Sequence, residues 1–76
     1  MMTASAASAL AEDAKTIVHW ATETEQLLQK AHESNDRKQV LRYFLTIKKH
    51  VFNVSKYAKD LEKAVNRQIV ALTPDL

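Results

Sequence analysis

Apolar and small residues recur along the chain at alternating steps of four and three, the spacing that keeps one stripe on the face of an α-helix. In the first half the stripe runs Leu10, Ala14, Ile17, Ala21, Thr24, Leu28 and Ala31. In the second it runs Val40, Phe44, Ile47, Val51, Val54, Ala58, Leu61, Val65, Gln68 and Leu72, with one polar member. Two long helices are predicted, over about 8–33 and about 36–72. Ser8 is the expected cap of the first, with Glu12 and Asp13 near its positive end. Residues 1–7 then form a frayed lead-in and 73–76 a tail.

The break between the helices is Ser34-Asn35-Asp36, three residues whose side chains compete for nearby backbone groups and so favour turns and caps. Asp36 with Gln39 three positions on resembles a capping box. So short a connection makes the helices antiparallel neighbours. Pro74 stops the second helix, which runs roughly 54 Å at 1.5 Å per residue. A rival reading breaks it near 53–55, at Asn53-Val54-Ser55, and gives a three-helix bundle. Against a break, the heptad passes through Val51, Val54 and Ala58 without the phase change that a turn brings. The fold class is therefore all-α, an antiparallel helical hairpin, in one domain of 76 residues.

Composition strengthens this picture. There is no Gly, no Cys and a single Pro, so nothing favours tight sheet turns, a disulfide framework or a thiolate metal site. No segment reaches the ~18 consecutive apolar residues of a membrane span. The Ala-rich start lacks the basic residues and strong apolar run of a signal peptide. A cytoplasmic or nuclear protein is expected.

The hairpin looks incomplete. Ordering a residue costs about 1.5 kcal/mol, and two helices sharing one seam bury little apolar surface against that cost. Phe44, Ile47, Val51, Leu61, Ile17 and Leu28 are the residues expected to hold the hairpin. Further apolar residues lie off that seam: Trp20 and Leu27 on the first helix, Leu41, Leu45 and Phe52 on the second. The second helix is also longer, and Val65, Ile69, Val70 and Leu72 fall in its expected overhang of some ten residues. Trp20, Leu27, Leu41, Leu45, Phe52 and Ile69 are accordingly the candidate partner-binding residues. They fit a four-helix bundle completed by self-association or by partner subunits. Homodimer and hetero-assembly are served equally by such seams.

Charge adds a second possibility. Between Arg37 and Lys59 lie seven basic residues and no acidic one, with Tyr43, Phe44, Phe52 and Tyr57 among them. Arg42, Lys49, Lys56 and Lys63 repeat at seven-residue intervals and point away from the seam. Arg42, Lys48, Lys49, Lys56 and Lys59 are candidate contacts to nucleic acid or an anionic surface, because a basic stripe beside aromatic rings suits phosphate contact and base stacking. The plainer reading is a solvated outer face, where any such helix places Lys. Residues 8–33 carry five acids and two bases, whereas 36–72 carry nine bases against Asp36, Asp60 and Glu62. Opposed helices of opposite sign are expected to pair, using much of the positive field internally and leaving a net charge of +2.

Nothing suggests catalysis. No nucleophilic Cys or Gly-rich phosphate loop is present, and His19, His32 and His50 lack a ligand partner at metal-binding spacing. No catalytic, cofactor or metal residues are assigned. The function read from the sequence is a non-catalytic protein–protein interaction module. The alternative is a nucleic-acid or anionic-surface binder using the basic face.

Overall fold

The chain forms a helical hairpin in the computed structural model, which describes residues 3–75 and the side chains of residues 6–74. Helix α1 spans Thr3–Glu33, helix α2 spans Arg37–Leu72, and a 3-10 turn covers Thr73–Asp75. The particle is a rod of 58 × 16 × 15 Å with a radius of gyration of 17.5 Å. A compact chain of this length has a radius of about 11 Å, so the two helices lie side by side with no further layer over them.

The turn follows from its residues. Asp36 has extended backbone angles, and its carboxylate accepts from the Lys38 N–H at 3.0 Å, capping α2. The reciprocal arm differs from the capping box expected from Gln39. The Asp36 N–H donates instead to Ser34 Oγ at 3.2 Å. Gln39 is half-buried where α2 begins to pack on α1.

Helix α1 starts five residues earlier than expected. Ser8 is an exposed residue inside the helix rather than its cap, and of the expected lead-in only residues 1–2 lie outside the described residues. Run on run of Ala gives this stretch high helix propensity without a capping side chain to mark its start. The expected overhang of α2 is therefore covered rather than left bare. Ala6, Ala7 and Leu10 line a shallow groove with Gln68 and Leu72, so the start of α1 reaches nearly to the end of α2. Residue 76, the last of the expected tail, lies outside the described residues.

Helix α2 is unbroken through Asn53-Val54-Ser55, which excludes the three-helix alternative. Asn53 and Val54 are half-buried along the seam, and packing against α1 holds the local helix. Thr24, a weak helix former in the seam of α1, satisfies its hydroxyl on the Trp20 carbonyl at 2.8 Å.

Candidate interaction surface

The inner seam of α2 is rotated from the one its hydrophobicity suggests. Val40, Ile47, Val54, Leu61 and Gln68 face α1 as expected. The alternate positions are Tyr43, His50, Tyr57 and Ala64, each one residue before the expected Phe44, Val51, Ala58 and Val65. Phe44 is 49% exposed and Val51 51%, and Ala58, Val65 and Leu72 are exposed as well. The same correction applies to α1. Ala21 and Leu28 are exposed, whereas Trp20 and Leu27 are half-buried in the seam.

An aromatic contact marks the rotated seam. The inner face of α1 mixes small residues, Ala6, Ala14, Thr24 and Ala31, with Leu10, Ile17, Trp20 and Leu27. Trp20 packs against His50 across the hairpin, ring centres 4.8 Å apart and planes tilted by 39°, and edge-on against His19 at 5.0 Å. His50 Nδ1 is buried there without a hydrogen-bond partner. Sequence reasoning missed Tyr43, His50 and Tyr57 as seam residues. Their seven-residue spacing was the available signal.

Only Ile47, at 7% exposure, is a buried hydrophobic residue among the described residues. The apolar surface that a larger protein would bury is instead displayed. Leu41, Leu45, Phe52 and Ile69 are all exposed, Phe52 at 68%, and they share the outer face of α2 with Phe44, Val51 and Val65. Four of the six candidate partner-binding residues therefore lie on one exposed stripe, and Trp20 and Leu27 lie under it in the hairpin seam. The chain exposes 6291 Å². A monomeric protein of its 8.6 kDa typically exposes about 4700 Å².

Arg42, Lys48, Lys49, Lys56 and Lys59 are all exposed. Lys48 and Lys49 flank a shallow groove with Leu45, Phe52 and Asn53, so the basic row borders the apolar stripe. The expected charge pairing between the two helices is not formed. Among the described residues the one ion pair is Lys15 with Glu12, 3.2 Å apart within α1. Acids and bases sit mostly on faces turned from the seam, beyond each other's reach.

No helix among the described residues is long and apolar enough to cross a membrane. No three His, Asp or Glu side chains among them gather as a metal site would require. The chain matches no known protein family, no curated protein and no solved structure.

Proposed function

We propose that the chain is a helical protein–protein interaction module whose outer α2 stripe packs against further helices. The observation that carries this reading is the imbalance between a single buried apolar residue among the described residues and the row of exposed apolar side chains along α2. Contiguous exposed apolar surface of this kind marks interaction sites in soluble proteins. A hairpin with so small a core gains its stability from association, so its melting temperature is expected to rise with chain concentration. Thermal melts followed by circular dichroism over a hundredfold concentration range check this. A high melting temperature that does not move with concentration contradicts it.

A second reading is favoured by the unpaired basic row. With no acid of α1 in reach, Arg42, Lys49 and Lys56 are free to meet phosphates. If they do, binding to mixed RNA or DNA weakens steeply as salt rises, with a slope set by the phosphates neutralised. Absence of binding at low salt removes this reading and leaves the apolar stripe untouched.

A further inference from the structure

We infer that the occupant of the outer stripe is a second copy of this chain, α2 packing antiparallel on α2 about a two-fold axis beside Ser55. This deepens the interaction-module reading and rests on it.

Much of the stripe is self-complementary when reversed. Leu41 and Ile69 are equally far from Ser55 along the helix, and so are Leu45 and Val65, Lys48 and Glu62, and Phe52 and Ala58, whereas Phe44 falls opposite Asn66 and Val51 opposite Lys59, whose aliphatic stem can cover it. All of these residues are exposed. Reversing one helix about Ser55 therefore sets aliphatic against aliphatic at both ends. It sets the Phe52 ring against a small Ala, and a Lys against a Glu. Ser55 meets its own copy at the centre, where a small side chain permits close approach.

Three further observations agree. The midpoint of Arg37–Leu72 falls between Val54 and Ser55, so pairing about Ser55 overlaps α2 along its whole length. Neither Lys48 nor Glu62 has an ion-pair partner within the chain among the described residues, and the reversed pairing supplies one to each, twice. A parallel, in-register pair would set Lys48 against Lys48 and Glu62 against Glu62, which is repulsive. Surface to bury is available. Two hairpins expose 6291 Å² each, about 4800 Å² more in total than is typical of their combined mass. Obligate homodimers bury about 2000–5000 Å². The two α2 helices then form the centre of the assembly, with an α1 on each outer side.

Charge exchange and single cysteines test the register. Lys48→Glu alone and Glu62→Lys alone each create two like-charge contacts, and each is expected to raise the dimer dissociation constant by about tenfold. The double variant restores the pairing in reverse and is expected to return to within about twofold of the parent. Both residues are exposed, so helicity recorded on the same samples separates lost pairing from lost folding. The chain has no Cys, so each introduced one reports a single site. Under mild oxidation Ser55→Cys is expected to form a disulfide dimer. Leu41→Cys alone is expected to form little, and a mixture of Leu41→Cys with Ile69→Cys to form the mixed disulfide. Efficient self-crosslinking of Leu41→Cys, or charge variants that do not rescue each other, overturns the self-pairing. A chain that becomes helical only with a different protein also overturns it, while leaving the interaction-module reading in place. A helical monomer with concentration-independent melting removes both.

Discussion

Phe52→Glu is expected to reduce the assembly to single chains of 8.6 kDa. The side chain is 68% exposed, so the hairpin loses almost no internal packing when the ring goes. Between helices, the same substitution removes an anchor worth about 1.5–3 kcal/mol of burial from each copy. It also places a carboxylate in a surface losing water, where an uncompensated charge costs several kcal/mol more. Local helix formation should survive, because Glu is at least as good a helix former as Phe. Light scattering should report one chain mass, and the melting transition should drop and stop moving with concentration. An assembly of unchanged mass and affinity would show that the outer stripe is not the contact.

Ile47→Asp should do the opposite kind of damage and lose helicity and mass together. Ile47 is the one buried apolar side chain among the described residues, in the seam between α1 and α2 on the side of the turn. Ile47→Ala grades the effect. Truncating a buried Ile costs about 2–5 kcal/mol, and a narrow, half-open seam can partly collapse, which places this site toward the lower end. The Asp variant adds desolvation of a charge with no basic partner on the facing helix. Circular dichroism and urea unfolding distinguish the two, with the Ala variant weakened and the Asp variant largely unfolded. A helical Ile47→Asp chain of normal stability would mean that the two helices do not depend on their shared seam.

These two substitutions lie five residues apart on one helix, and their contrast reflects how much of the molecule the residue pattern reveals. The hairpin was legible because heptad spacing, the absence of Gly and the cluster Ser34-Asn35-Asp36 all point the same way. So was the continuous second helix, since its phase passes Asn53 unchanged. Val40, Ile47, Val54 and Leu61 were legible as seam because they belong to both heptad lines that can be drawn on α2. The choice between those lines was not. Phe44, Val51 and Ala58 are more apolar than Tyr43, His50 and Tyr57, yet the rings turn inward, where His50 meets Trp20 of α1. Hydrophobicity ranks residues one at a time and is blind to the shape of the opposite face.

The same rotation explains what was and was not visible of the candidate surface. Leu41, Leu45, Phe52 and Ile69 stand exposed because they lie off either seam. Trp20 and Leu27 are drawn into the hairpin, with Trp20 on His50. The start of α1 was hidden for a different reason. An Ala-rich stretch is helical without a side-chain cap, so no residue announces where it begins.

Absolute mass by light scattering, with helicity recorded on the same samples across concentrations, bears most directly on whether the hairpin is completed by association. The expected result is a helical species of twice the chain mass that loses helix as it dissociates on dilution. A particle of 8.6 kDa that remains fully helical at every concentration would contradict it.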